Sequence, residues 1–79
     1  MNQKSVDRQK EIIQFIIDYS SKNGYPPTMR EIGSYAGVSS SSTIHKILRK
    51  YHDDGIVMIT DGIFRGIRVT DEGKELLGS

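Results

Sequence analysis

The fold is decided by residues 28–53, which have the sequence TMREIGSYAGVSSSSTIHKILRKYHD. Thr28 and Glu31 form the pattern of a capping box, in which the two side chains satisfy free backbone N–H groups at the start of a helix. Gly37 ends this short helix, and a serine run leads into the next one. Apolar residues recur there at helical spacing. They are Ile44, Ile47, Leu48 and Tyr51. The stretch therefore predicts two helices joined by a short turn.

A long amphipathic helix is predicted before this stretch, with Ser5 as its N-cap. Gly24 supplies the left-handed residue that ends such a helix, and the double proline at 26–27 cannot continue it. Gly33 stands in the middle of the second helix, where glycine costs about 1 kcal/mol relative to alanine. That cost makes sense where another helix crosses closely, so we expect a neighbouring helix to pack against Gly33.

A β-hairpin and a short helix are predicted after the third helix. Residues 56–60 have the pattern of a strand, and residues 64–69 form the return strand. Asp61-Gly62 is a strong signal for a two-residue turn in which both central residues take positive φ. Residues 70–77 combine a threonine cap, an acidic first turn and two leucines, which predicts a short final helix.

The element order α-α-α-β-β, with this short C-terminal helix, predicts an α+β fold that is mainly α. Three helices followed by a hairpin are the arrangement of a winged helix-turn-helix, and the chain length fits a single domain over residues 1–79. The second helix then supports the third, the recognition helix at about 40–53, in a DNA major groove. The wing at about 56–69 lies beside the phosphate backbone or the minor groove.

The composition excludes several other classes of protein. Without cysteine the chain has neither disulfides nor thiolate metal ligands, and two histidines alone make no recognisable metal site. No Ser-His-Asp order or phosphate-binding loop is present, so we expect no enzyme activity, metal, cofactor or small-molecule ligand. No apolar run approaches the roughly 20 residues that span a bilayer. We therefore expect an intracellular, cytoplasmic protein without a membrane partner.

Positive charge is concentrated in two segments, although the net charge of the whole chain is only +1. Residues 25–52 carry four basic side chains and one acidic side chain, and residues 64–69 carry two arginines. Three aspartates lie between these segments, in residues 53–63. A basic footprint of this kind suits a polyanion such as DNA.

Four separate motifs stand out for their resemblance to a known family: residues 8–13 (RQKEII), 24–33 (GYPPTMREIG), 40–45 (SSSTIH) and 65–68 (RGIR). Together they resemble the LexA repressor family. The third is similar to the recognition helix of LexA proteins from Gram-positive bacteria, and all four agree in one register over about residues 5–69. The resemblance implies the DNA-binding domain of a transcriptional repressor that binds one half of a palindromic operator.

The predicted DNA contacts combine this register with the polar and basic face opposite the apolar stripe. The base-proximal residues are Ser40, Ser42, Thr43, His45 and Lys46. The residues expected at the DNA backbone or in the wing are Thr28, Arg30, Ser39, Ser41, Arg49, Lys50, Arg65 and Arg68. His52 is interpreted as a solvated residue at the helix end, and Tyr25 as a packing residue.

LexA proteins continue beyond such a domain into a linker, a self-cleavage site and a Ser-Lys peptidase domain that also dimerises. The 79 residues carry none of these. Two interpretations stay open: a DNA-binding domain cut from a longer regulator, or a stand-alone relative that cannot cleave itself. The acidic segment 70–79 resembles the closing helix of other small winged-helix regulators, which favours the second. By itself the domain is expected to be a weak monomer or to dimerise on DNA.

A winged helix can also serve as a protein-interaction module that never touches DNA. An exposed apolar patch over the third helix would favour that alternative, whereas the basic and polar face favours DNA. The DNA-binding hypothesis predicts a protein of the bacterial cytoplasm, encoded by a bacterium or a phage and associated with the nucleoid. It leaves activation open beside repression.

Overall fold

The computed structural model describes residues 3–63 and 65–78. Its helices are α1 (Gln3–Asn23), α2 (Met29–Ala36), α3 (Ser41–Asp53) and α4 (Asp71–Gly78), and its strands are β1 (Val57–Ile59) and β2 (Ile67–Val69). The two strands form an antiparallel hairpin after the third helix, so the predicted winged helix-turn-helix fold is confirmed. Within these described ranges, no helix is long and apolar enough to cross a membrane.

One apolar core lies between the helices and the hairpin. The stripe predicted for α3 faces it, with three of its four residues buried and Ile47 partly buried. Among the described residues, the buried hydrophobic side chains of this core are Ile12, Ile13, Ile16, Ile32, Ile44, Leu48, Tyr51, Ile56, Val57 and Ile67. Burying one such aliphatic side chain stabilises the fold by about 1.5–3 kcal/mol. The core therefore holds α3 with its opposite face turned outward.

The turn between α2 and α3 follows the predicted local signals. The Thr28 hydroxyl accepts a hydrogen bond from the Glu31 N–H at 3.1 Å, and the Glu31 carboxylate accepts one from the Thr28 N–H at 2.8 Å. This is the predicted capping box. Gly37 ends α2 with a φ of 75°, in the left-handed region. A Cβ atom on Gly33 would lie 3.5 Å from the Ile44 side chain. This confirms that another helix approaches Gly33 closely, and the structure identifies that helix as α3.

The ends of α1 and α4 test three further predictions about helix caps and stops. Ser5 lies inside α1, so its prediction as N-cap is wrong. No proline or glycine precedes Ser5 in the sequence, and the helix therefore extends past it. Gly24 follows α1 with a φ of 80° and is the predicted left-handed stop. The Thr70 hydroxyl accepts a hydrogen bond from the Gly73 N–H at 3.1 Å, as predicted for the cap of α4.

The wing, which comprises β1, β2 and the loop between them, differs from the prediction in its turn. The register is Val57 opposite Val69, Met58 opposite Arg68 and Ile59 opposite Ile67. The Thr60 N–H donates to the Gly66 carbonyl at 2.7 Å, so the loop is wider than the predicted two-residue turn. Gly62 takes a φ of 81°, but Asp61 does not take positive φ. A wider loop spares Asp61 a conformation that side chains disfavour. The predicted start of the return strand, at Phe64, lies outside the described residues.

Candidate nucleic-acid interface

The outward face of α3 carries the residues predicted to lie nearest the bases. Ser40 is the N-cap of the helix, and its hydroxyl accepts a hydrogen bond from the Thr43 N–H at 3.4 Å. The exposed side chains on this face and in the turn before it are Ser39, Ser40, Ser41, Ser42, Thr43, His45 and Lys46. Their exposure follows from the helical period, because the apolar stripe occupies the opposite side of α3. The face is therefore open to a macromolecular partner.

A groove runs between α2 and the start of α3. Arg30 of α2 lines it together with Ser42, His45 and Lys46 of α3. Arg30 and His45 also line a second groove, which continues to Gly62 in the wing loop. The structure thus brings Arg30 into the same surface as the base-proximal candidates, although it lies on a different helix.

The lysine and arginine side chains predicted to contact DNA fall into two groups. In the described part of the chain, Arg30, Lys46 and Arg68 form no ion pair. Three others face a carboxylate. Arg49 lies 3.6 Å from Asp61, Lys50 lies 3.2 Å from Asp54, and Arg65 lies 2.9 Å from Glu31. Exposed pairs such as the first two are weak, so Arg49 and Lys50 remain available to phosphates.

Arg65 differs from the other predicted DNA contacts because its guanidinium is directed into the protein. Its Nη1 donates to a Glu31 carboxylate oxygen at 2.9 Å and to the Pro26 carbonyl at 2.9 Å. The Tyr19 hydroxyl lies 3.4 Å from the same nitrogen. The guanidinium carbon lies 4.5 Å from the centre of the Tyr25 ring, within the range of a cation–π contact. Tyr25 therefore does pack, as predicted: its ring contacts Arg65 and lies edge-on to the Tyr19 ring, with 6.0 Å between the ring centres.

The hydrogen-bond donors around the Glu31 carboxylate keep it in its charged form. Its pKa is lowered to about 2, first by the hydrogen bond from the Thr28 N–H and then by the bond from the Tyr19 hydroxyl. That hydroxyl donates to the second carboxylate oxygen at 2.8 Å, and the bond raises the pKa of Tyr19. Each hydrogen bond stabilises the carboxylate over the protonated acid.

Acid should remove the stability that the Glu31 carboxylate contributes. Its pKa is about 2 in the folded protein against an ordinary value of 4.5. The contribution is therefore fully present above about pH 4.5 and is lost as the pH falls through about 2. We expect the thermal midpoint of the wild type to exceed that of Glu31→Gln at neutral pH, and the difference to shrink below about pH 4.5. Melts followed by circular dichroism measure this, and a difference that stays constant down to pH 2 would contradict it.

His52 is the clearest misinterpretation of the sequence. It is half-buried, and its Nδ1 accepts a hydrogen bond from the Ile59 N–H at 3.2 Å. The side chain therefore links the end of α3 to β1 and is not a merely solvated residue. The interpretation failed because the acceptor role depends on how β1 is placed beside α3, and no local pattern encodes that placement.

Among the described residues, no group of three or more histidine, aspartate and glutamate side chains could hold a metal ion.

Three helices, the third of which presents an exposed polar face, and a hairpin wing beside it define the winged helix-turn-helix class of DNA-binding domains. Residues 2–66 match the family model of the LexA DNA binding domain. The chain belongs to this family. The match ends before β2 and α4.

Curated LexA repressors from lactic acid bacteria and enterococci are similar along nearly the whole chain. The LexA repressor of Leuconostoc mesenteroides is 44% identical over 73 residues, which are 90% of this chain and 34% of that protein. The LexA repressor of Lacticaseibacillus casei is 41% identical over 76 residues, covering 96% of this chain and 36% of that protein. The LexA repressor of Enterococcus faecalis is 38% identical over 71 residues, covering 90% and 34%. The chain thus spans about a third of the length of these relatives.

Proposed function

We propose that this domain binds double-stranded DNA sequence-specifically as the DNA-reading part of a transcriptional repressor. The recognition helix α3 inserts into the major groove, and the wing lies against the backbone or the minor groove. One observation carries the proposal. Arg30, His45 and Lys46 line a single groove on the exposed α2–α3 surface, and neither Arg30 nor Lys46 has an acidic partner within the described residues.

The residues divide between base readout and backbone contact. Short hydroxyl side chains at the start of α3 let the helix approach base edges closely, and His45 and Lys46 reach further into the groove. The base contacts proposed are Ser40, Ser42, Thr43, His45 and Lys46. Backbone contacts are proposed for Ser39, Ser41, Arg30, Arg49, Lys50 and Arg68, while Thr28 acts through the cap that orients α2. Arg65 is treated separately below.

Two copies on a palindrome supply the affinity that one domain lacks. A single small domain makes few phosphate contacts, so by itself it binds a half-site weakly and pairs with a second copy on the DNA. This single domain of residues 1–79 works without cofactor or small-molecule ligand, by binding rather than catalysis. Its proposed location is the nucleoid of a bacterial cytoplasm, encoded by the bacterium or by a phage.

Fluorescence anisotropy tests the proposal. The probe is a duplex with the palindromic operator of a Gram-positive LexA repressor, and the control is the same duplex with a scrambled sequence. We expect preference for the palindrome, with a log–log salt slope of about −4 to −6 for roughly five or six neutralised phosphates. His45→Ala should reduce the difference in affinity between the palindromic and the scrambled duplex. Equal affinity of the wild type for both duplexes would show that this operator is not its specific site. Absence of binding to either duplex at moderate salt would show that DNA is not the partner.

The alternative, a protein-interaction module, has no observation in its favour. An exposed apolar patch on α3 would support it, but the large apolar and aromatic side chains that are exposed among the described residues lie outside α3. They are Tyr25, Tyr35, Met58 and Ile63.

A further inference from the structure

The wing is fastened to the helical body from two sides. On the α3 side, His52 accepts the hydrogen bond from the Ile59 N–H, and Arg49 lies 3.6 Å from Asp61 in the wing loop. On the α2 side, Arg65 reaches the corner between α1 and α2. A two-stranded hairpin is marginally stable by itself in water. Here the buried side chains of Val57 and Ile67 anchor the strands in the core, and the contacts on the two sides hold the loop end of the wing beside the helices.

The contact on the α2 side is made by a single guanidinium with several partners. Arg65 donates to the Glu31 carboxylate and to the Pro26 carbonyl, each at 2.9 Å. Its planar group also lies over the Tyr25 ring. A guanidinium suits this corner because its planar face lies over the ring while its Nη1 donates to two acceptors. An ammonium could also donate to both acceptors, but it has no planar face to stack on the ring. We name Arg65, Glu31, Pro26 and Tyr25 the wing clip.

The clip also sets the charge that Arg65 presents to solvent. Glu31 lies in contact with the guanidinium and carries a full negative charge at neutral pH, so the pair is nearly neutral at a distance. Arg68 stands three residues further along the wing, exposed, and its Nη2 contacts the Met58 sulfur at 3.4 Å. In the described residues Arg68 has no carboxylate partner, so it offers phosphates an uncompensated charge.

We propose that Arg65 serves DNA binding as a positioning residue, which fixes the wing against the start of α2 through Glu31, while Arg68 makes the phosphate contact. This inference rests on the proposed DNA-binding function. It makes Glu31, an acidic residue, a contributor to DNA affinity. A direct phosphate contact by Arg65 would give Glu31 the opposite effect, because the carboxylate would then compete with the phosphate.

Four variants separate the two roles by the sign of their effects. Glu31→Gln keeps the capping box, since glutamine serves at that position as well as glutamate, but it removes the charge that holds Arg65. Arg65→Lys keeps the positive charge but loses the planar group that stacks on Tyr25, and Arg65→Ala loses both the charge and the planar group. Arg68→Ala is the matched control in the same wing. Affinity for the palindromic operator duplex is measured by anisotropy across a salt series.

We expect Arg65→Ala, Arg65→Lys and Glu31→Gln all to weaken binding, by roughly threefold to tenfold, as when a loop must be immobilised on binding. Their salt slopes should equal that of the wild type. Arg68→Ala should reduce the magnitude of the slope by about 1. Tighter binding by Glu31→Gln, or a slope reduced by about 1 in Arg65→Ala with full affinity in Arg65→Lys, would overturn the positioning role.

Hydrogen exchange of the free protein provides a readout without DNA. The amides of Thr60 and Gly66 are hydrogen-bonded within the wing loop, and they should exchange faster in Arg65→Ala and Glu31→Gln, with unchanged exchange in the core of α1. Unchanged exchange in the wing would overturn the inference. If the wild type binds neither duplex, the proposed function has failed, and the exchange data alone then decide whether the clip fixes the wing.

Discussion

Replacing Lys46 with glutamate is expected to weaken binding to the operator duplex by about 100-fold. Losing one specific contact of this kind costs about 1–3 kcal/mol, and each 1.4 kcal/mol is about tenfold in affinity. The reversed charge adds repulsion from the phosphates that line the groove. Lys46 is exposed and lines the same groove as Arg30 and His45. Anisotropy with the palindromic and scrambled duplexes measures the loss.

The fold should tolerate this change, because the new carboxylate lies four residues before Lys50, a favourable helical spacing. Lys74→Glu is the matched control: Lys74 is also exposed, but it lies on α4, which packs against α1 and β2. We expect the control to bind within about twofold of the wild type, since a distant exposed charge acts only through screened long-range attraction. Equal losses in the two variants would mean that overall charge, and not the α3 surface, determines affinity.

Replacing Gly73 with alanine is expected to destabilise the domain by about 1–3 kcal/mol, the usual effect of overpacking. Alanine is normally the better helix former, so local propensity predicts the opposite sign. A Cβ on Gly73 would, however, overlap the Ile56 carbonyl oxygen and lie 2.8 Å from Val69 Cγ1. A backbone carbonyl cannot rotate away as a side chain does. In a domain of this size, each kcal/mol lowers the thermal midpoint by about 4–8 °C.

Gly78→Ala provides the control for this prediction. Gly78 ends the same helix, and a Cβ atom there would have no neighbour within 4 Å. The same substitution should therefore be neutral or slightly stabilising. Thermal melts of the two variants, followed by circular dichroism, measure both effects. A Gly73→Ala protein as stable as the wild type would show that α4 can shift away from Ile56 at no cost.

Local signals in the sequence predicted the helices well. The capping box of Thr28 and Glu31 acts within one turn, and Gly24 and Gly37 end their helices through their own φ angles. The apolar stripe of α3 needs only the helical period. These interactions join residues a few positions apart, so the order of residues alone describes them.

The contacts that orient the wing were predicted less well. Arg65 and Glu31 are 34 residues apart in the chain and 2.9 Å apart in the structure. A sequence pattern identifies both as charged and exposed residues, and it assigned Arg65 to DNA. The wide wing loop and the role of His52 were also not predicted, although their hydrogen bonds join residues close in sequence, Thr60 with Gly66 and Ile59 with His52. Both bonds depend on how the packed hairpin directs the chain after α3, which helical periodicity and cap signals do not describe.

The amino-acid sequence by itself determined the class of fold and the polar face of α3, because hydrogen bonds within a turn and helical periodicity act locally. Its motifs also carried the resemblance to LexA repressors. Only the tertiary structure decided which cations stay available to phosphates and which are compensated. It placed Glu31 against Arg65, left Lys46 and Arg68 without a carboxylate in the described residues, and brought the Ile56 carbonyl over Gly73. Charge compensation and steric overlap fall off over a few ångströms in space, whatever the separation along the chain.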